Sequence, residues 1–77
     1  MKILEMLQAW VNLHVSEKYN KAVESDEMRK ILYYEGVVHG VRALLAELGI
    51  SMAIIAIKEG PFERKLISCK LAFFQND

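Results

Sequence analysis

The sequence predicts an α+β fold in the order α-α-β-β, in which two helices precede a C-terminal antiparallel β-hairpin. Residues 2–48 carry apolar side chains at helical spacing, and after residue 49 the pattern changes to short isoleucine-rich and alternating segments. A chain of 77 residues is expected to form a single domain. Because a two-stranded sheet is marginal alone, we expect two copies to join their hairpins into a four-stranded sheet, with helices over one or both faces.

The first helix is predicted for residues 2–23. At about 100° per residue, its apolar side chains share one broad arc. That arc holds Ile3, Leu4, Met6, Leu7, Trp10, Val11, His14 and Val15, and the opposite side holds Glu5, Gln8, Asn12, Ser16 and Tyr19. His14 is therefore expected to be a core histidine with a hydrogen-bond partner, or else an interface histidine. Ser16 could cap a new segment, so the pattern also allows a break near Val15 and Ser16.

The second helix is predicted for residues 26–48. Ser25 is expected to cap its start, and Asp26 and Glu27 favour the positive end of the helix dipole. Gly49 is expected to end the helix in a left-handed conformation. One face repeats with heptad spacing and is predicted to pack on the first helix or the sheet. Its members are Ile31, Tyr34, Val38, Val41, Leu45 and Leu48, widened by Val37 and Leu44.

The hairpin is predicted from strands at residues 50–58 and 64–74, joined by a turn over residues 59–63 that contains Pro61. The first strand is apolar on both faces, which is typical of a central strand. In the second strand, alternation places Ile67, Cys69, Leu71 and Phe73 on one face. Cys69 is therefore expected to be buried and chemically inert.

A stripe of small residues on the second helix is predicted to be an interface. Gly36, Gly40 and Ala43 line up opposite the heptad face, next to Tyr33, and small side chains let another backbone approach closely. We expect this stripe, together with Ile54 of the first strand, to contact a second subunit or a partner. A ligand stacked on Tyr33 over the glycines, or glycine simply tolerated at the surface, are the alternatives.

A third stripe on the same helix is formed by Glu35, His39 and Arg42, which are spaced so that each contacts the next. A solvated salt-bridge face is the favoured interpretation, followed by a polar contact across a subunit interface. A metal or acid–base site is the weakest, because one carboxylate and one imidazole rarely hold a metal.

Composition narrows the classes of function. The formal net charge is zero, which disfavours a general nucleic-acid binder. The single cysteine excludes an internal disulfide and favours a reducing compartment, and the 53% apolar content favours self-association. No signal peptide or membrane-spanning segment is predicted, so we expect a cytoplasmic protein. The sequence contains no recognised catalytic, metal or cofactor motif, so no enzyme activity, metal or cofactor is predicted.

The sequence thus favours a homodimer or higher oligomer that binds and modulates another protein, as an inhibitor or an adaptor. Its short, motif-free character is typical of small accessory proteins of mobile elements. One alternative is an oligomer that binds a small anionic ligand such as a nucleotide through Tyr33, Arg42, Arg64 and Lys65. The least favoured alternative is nucleic-acid binding by the hairpin, which carries four basic residues and an aromatic tip. These are Lys58, Arg64, Lys65, Lys70 and Phe62. The favoured interpretation of the same residues is a solvated strand edge whose lysines prevent pairing with another chain, and a protein-binding tip is a further alternative.

Overall fold

The computed structural model describes residues 2–59 and 64–74, except for the side chains of residues 58, 59 and 64. It has two helical rods followed by an antiparallel hairpin, which confirms the predicted α+β arrangement. The helices are α1 (Ile3–Val11), a π-helical segment (Asn12–Ser16), α2 (Glu17–Ser25) and α3 (Met28–Glu47). The strands are β1 (Ile50–Glu59) and β2 (Arg64–Phe73). The predicted turn falls mostly on residues 60–63, which lie outside the described part.

The first rod is continuous from α1 through the π-helical segment to α2, because the backbone is right-handed helical at both junctions. Its buried side differs from the predicted arc. Ser16 is buried and Gln8 and Tyr19 are half-buried, although all three were expected on the polar side. Conversely, Trp10 and His14 are exposed. A π-helical turn contains an additional residue, so a one-phase helical wheel misplaces residues after it, such as Tyr19. Trp10 precedes this turn and is exposed together with Ile3 and Met6, so only part of the predicted arc is buried.

The junction between the rods corrects the predicted helix cap. Ser25 is the last residue of α2, and its hydroxyl donates to the carbonyl of Ala22 at 2.8 Å. Asp26 follows in the left-handed region with φ 57°, and Glu27 is the extended residue before α3. Ser25 therefore ends one helix instead of starting the next. At the other end of α3, Gly49 has φ 80°, as predicted for a left-handed terminator.

The hairpin pairs β1 with β2 in one unbroken antiparallel register, from Ile50 opposite Phe73 to Glu59 opposite Arg64. Even-numbered residues of β1 share a face with odd-numbered residues of β2, and this face packs on the helices. Cys69 is buried at 1% exposure, as expected, with Met52 and Leu71 around it. Phe73, which was placed on the same face, is half exposed.

The core lies where the two rods meet the inner face of the hairpin. The heptad face of α3 supplies Val38 and Leu45, which are buried, whereas Leu44 and Leu48 at the same face are exposed. The complete buried cluster is Val11, Val15, Val38, Leu45, Ile50, Met52, Ile67, Cys69 and Leu71. The core is therefore small, and the helices cover one face of the sheet only.

Candidate functional site

The outer edge of β2 is closed by two amide side chains from the first rod. Gln8 Nε2 donates to the carbonyl of Cys69 at 2.7 Å, and the N–H of Leu71 donates to Gln8 Oε1 at 2.8 Å. Asn20 Nδ2 donates to the carbonyl of Ile67 at 3.0 Å, and Asn20 Oδ1 accepts from the N–H of Ile67 at 2.8 Å. The two amides thus form the hydrogen bonds that a neighbouring strand would form.

The π-helical segment brings these two amides to the same side of the rod. Gln8 and Asn20 are twelve residues apart, which in an uninterrupted α-helix would place them about 120° apart. One additional residue in the π-helical turn reduces this difference to about 20°. Without that turn, one of the two amides would point away from the edge of β2.

Sequence reasoning missed both amides because Gln8 was assigned to the solvent side and Asn20 to no role. One signal was present, since the expected break near Val15 and Ser16 coincides with the end of the π-helical segment. Ser16, the last residue of the π-helical segment, is also unusual in its burial. It is 7% exposed, and its hydroxyl has no hydrogen-bond partner among the described residues.

The outer edge of β1, in contrast, is open. The N–H of Phe74 donates to the carbonyl of Gly49 at 3.0 Å, so that pair is hydrogen-bonded. Hydrogen-bonded and non-hydrogen-bonded pairs alternate along an antiparallel ladder. The main-chain groups of Met52, Ile54 and Ala56 therefore point away from β2. Within the part of the chain whose side chains are described, no side chain bonds to these groups.

Between Ile50 and Ile57, this edge also lacks the features that keep strands apart. Natural edge strands commonly carry lysine, proline or a bulge that prevents pairing with another chain. No charged residue and no proline occurs between Leu48 and Ile57, and the register of β1 contains no bulge. The edge is consequently a continuous template for another strand.

The outer face of the sheet, which we call the open face, is also apolar. It consists of the odd-numbered residues of β1 and the even-numbered residues of β2. Ile55 and Ile57 are 46% and 47% exposed, and Phe74 beyond the end of β2 is also exposed. Lys70 supplies a charge in the middle of this face. The first strand is thus apolar on both faces, as predicted from the sequence.

The predicted glycine stripe lies on the solvent side of α3. Gly36, Gly40 and Ala43 are exposed, and Tyr33 is 65% exposed with its ring packed edge-on against Tyr34. A Cβ added at Gly36 or Gly40 would meet nothing within 4 Å in the protomer. The protomer itself therefore gives no reason for these glycines, and their predicted role in an interface stays a prediction.

Ile54 lies elsewhere, at a small cleft of about 130 Å³ between the rods and the sheet. Tyr19, Glu35 and His39 also line this cleft. Burial, and secondly the charge of Glu35, raises the pKa of Tyr19 above its ordinary value of 10.0. Glu35 and His39 are themselves exposed. Among the described residues, no group of three or more His, Cys, Asp or Glu side chains is placed to hold a metal ion.

The residues predicted to bind an anionic ligand are spread along the protomer. Arg42 is near the end of α3 that leads into β1, whereas Lys65 pairs with Lys58 at the far end of the hairpin. From Ile50 to Lys58, β1 spans roughly 26 Å at about 3.3 Å per residue. Within one protomer, Arg42 and Lys65 are therefore not brought together, and the side chain of Arg64 lies outside the described part.

A different basic site is formed between α2 and α3. Lys18, Lys21, Lys30 and Tyr34 line a cleft of about 400 Å³, which Glu17 also borders. Lys30 Nζ forms an ion pair with Glu27 at 2.9 Å, and this hydrogen bond raises the pKa of Lys30. Sequence reasoning did not group these lysines, because they belong to two different helices.

His14 is the clearest correction among the candidate residues. It was expected first in the core with a hydrogen-bond partner, but it is exposed on the first rod. The alternative, a histidine at an interface, stays a prediction. Its ring lies against Trp10, with ring centroids 5.2 Å apart and planes tilted by 41°. Trp10 and His14 therefore form a surface pair instead of a buried polar contact.

The chain matches no known protein family, no curated protein and no solved structure. None of the described helices is both long and apolar enough to span a membrane. The function must therefore be argued from the surfaces described above.

Proposed function

We propose that this chain is a small non-enzymatic protein that self-associates and binds and modulates another protein, as an inhibitor or an adaptor. The proposal is carried by the distribution of its apolar side chains. Among the residues whose exposure is described, thirteen large hydrophobic side chains are exposed, whereas only ten hydrophobic residues are buried. Contiguous apolar surface on a soluble protein usually marks an interaction site.

Self-association into the expected homodimer with a four-stranded sheet is supported by the hairpin. The hairpin by itself is a two-stranded sheet, which is marginal in water. Light scattering over a dilution series tests this step directly. We expect a dimer at micromolar concentration, and a monomer throughout the series would contradict it.

The open face is the surface that we assign to the partner protein. Ile55 and Ile57 provide apolar contact area, and Lys70 provides one positive charge among them. A complementary partner would present an apolar patch with a carboxylate opposite Lys70, since unpaired buried charges are costly. A buried free Cys69 is compatible with the reducing cytoplasm, where we expect this interaction to occur.

The partner step is tested by reconstitution. A protein captured from the source cells is purified, and its binding and its own activity are measured with and without this chain. We expect Ile55→Lys to abolish both effects while the fold is retained, because Ile55 is already half exposed. Leu13→Lys is the matched control, since Leu13 is a similarly exposed apolar residue that lies on the first rod and not on the open face. Equal loss of binding in both variants would contradict the assignment.

A second candidate function is binding of a small anionic ligand. The cleft lined by Lys18, Lys21 and Lys30 supports it, because three ammonium groups border a space large enough for a phosphate compound. Binding to the native state alone raises the melting temperature with ligand concentration. A rise with ATP or inorganic phosphate that Lys21→Gln removes would favour this function, and an unchanged melting temperature would exclude it.

A further inference from the structure

We propose that the site of self-association is the open edge of β1, and that its occupant is β1 of a second copy, paired antiparallel about a twofold axis. This inference rests on the proposed self-association and specifies its surface. It excludes pairing through β2, which the sequence left undecided. The resulting sheet has the order β2-β1-β1-β2.

The two edges of the hairpin differ in how many of their outward main-chain groups are already bonded. Gln8 and Asn20 already bond to four of the six outward main-chain groups of Ile67, Cys69 and Leu71. A strand approaching β2 would have to displace two amides and four hydrogen bonds. The outward groups of Met52, Ile54 and Ala56 meet no such obstacle, because no described side chain is bonded to them.

The outward edge of β1 is complementary to the same edge of a second copy. A twofold axis through the middle of a strand pairs each outward residue with another outward residue of the same strand. Pairing centred on Ala53 or Ile54 keeps the contact within the uncharged part of β1 and forms about six to eight main-chain hydrogen bonds. No charged side chain lies in this contact, so no like charges oppose the pairing.

The second half of β1 is accessible to another strand. Ala53, Ile55, Ala56 and Ile57 are all exposed, so neither rod covers this part of β1. Since antiparallel neighbours point to the same side of a sheet, pairing would put the helices of both copies on one face. The open faces would then merge into one four-stranded apolar surface with a Lys70 from each copy.

Amide hydrogen exchange, followed by NMR, tests this arrangement without any substitution. In the protomer, the amides of Met52, Ile54 and Ala56 have no acceptor among the described residues, so they should exchange fast. In the proposed dimer they are hydrogen-bonded. We expect exchange at these three positions to slow at least tenfold in concentrated protein and to become fast again on dilution. The amides of Ala53 and Ile55, bonded within the hairpin, should be protected at both concentrations.

An isotope-filtered NOE experiment on a mixture of labelled and unlabelled protein provides the second measurement. We expect contacts between Met52 and the partner subunit's Ile54 or the partner subunit's Ala56. A dimer whose β1 amides stay fast, whose intermolecular contacts come from α3, and which Gly36→Leu with Gly40→Leu dissociates would overturn the edge assignment but not self-association. A monomer at every concentration would overturn both.

Ala56→Pro provides a variant with a matched control. The N–H of Ala56 points outward, so proline there removes edge hydrogen bonds without removing one inside the hairpin. We expect a folded monomer. Ala53→Pro removes an N–H that is bonded to β2, and we expect it to unfold the hairpin. A folded Ala56→Pro dimer with unchanged dissociation constant would overturn the proposal.

Discussion

Gln8 and Asn20, whose amides bond to the outer edge of β2, form what we call the amide clamp. Replacing Gln8 with methionine tests how much this clamp contributes to stability. Methionine has a similar length and a good helix propensity, so the substitution removes the amide and leaves most of the shape. Two hydrogen bonds to the main chain of Cys69 and Leu71 are lost. At about 1 kcal/mol each, and with both main-chain groups left without their partner, the free energy of unfolding should fall by about 2 kcal/mol.

Urea unfolding followed by circular dichroism measures this loss. All variants are compared at the same protomer concentration, because the proposed self-association would add to apparent stability. For a domain of this size, a change of about 2 kcal/mol also lowers the melting temperature by about 8–16 °C. Asn12→Ala is the matched control, since it removes only the exposed 3.1 Å hydrogen bond from Gln8 to Asn12. That variant should change stability by less than about 0.5 kcal/mol.

A cost for Gln8→Met as small as that of Asn12→Ala would refute this reasoning. It would mean that water replaces the amide at the edge of β2 without loss of free energy. The clamp would then be an incidental contact and not a structural element. Asn20→Leu, which removes the two hydrogen bonds to Ile67, should independently cost about the same as Gln8→Met.

Three further predictions concern single residues and their ionisation. Ser16→Ala should raise the free energy of unfolding by about 1 kcal/mol in the same urea assay, because it removes a buried hydroxyl without a described partner; a loss of 1 kcal/mol would show that the hydroxyl is bonded. Asp26→Gly should stabilise by about 0.5–1 kcal/mol and Asp26→Val should destabilise, since φ is 57° at this position; equal stabilities would be the contrary result. The folded state raises the pKa of Tyr19, so it favours the neutral phenol. The stability that comes from this preference is present in full below pH 10.0, and it is lost as the pH rises through the folded pKa. Glu35→Gln should lower the Tyr19 pKa only part of the way in an NMR titration, since burial is the larger cause, and no change would contradict the contact.

The sequence predicted the elements of this fold well where one period holds throughout. The heptad spacing of α3 and the alternation in β2 identified Val38, Leu45, Ile67 and Cys69 on buried faces. The left-handed Gly49 was predictable because glycine after a helix has a specific conformational advantage.

The first rod was harder to predict because its period changes inside the helix. A π-helical turn has no strong residue signature, so the wheel kept one phase through it and assigned Tyr19 to the polar side. Gln8 precedes this turn and was assigned to solvent together with the other polar residues of the helix. The clamp on β2 was also beyond local reasoning, since Gln8 and Leu71 are 63 residues apart and meet only in the tertiary structure. The open edge of β1 could be identified only after the occupants of the β2 edge were known.

Under the proposed pairing, the amide clamp leaves each protomer one edge open to a second copy instead of two. A protomer with two open edges would add copies at both sides and continue into a filament, as cross-β assemblies do. A protomer whose second edge is occupied by Gln8 and Asn20 reaches a closed size once the first edge is filled. The first rod would thus prevent further copies from joining the sheet. The π-helical turn that aligns its two amides would limit the proposed assembly to two subunits.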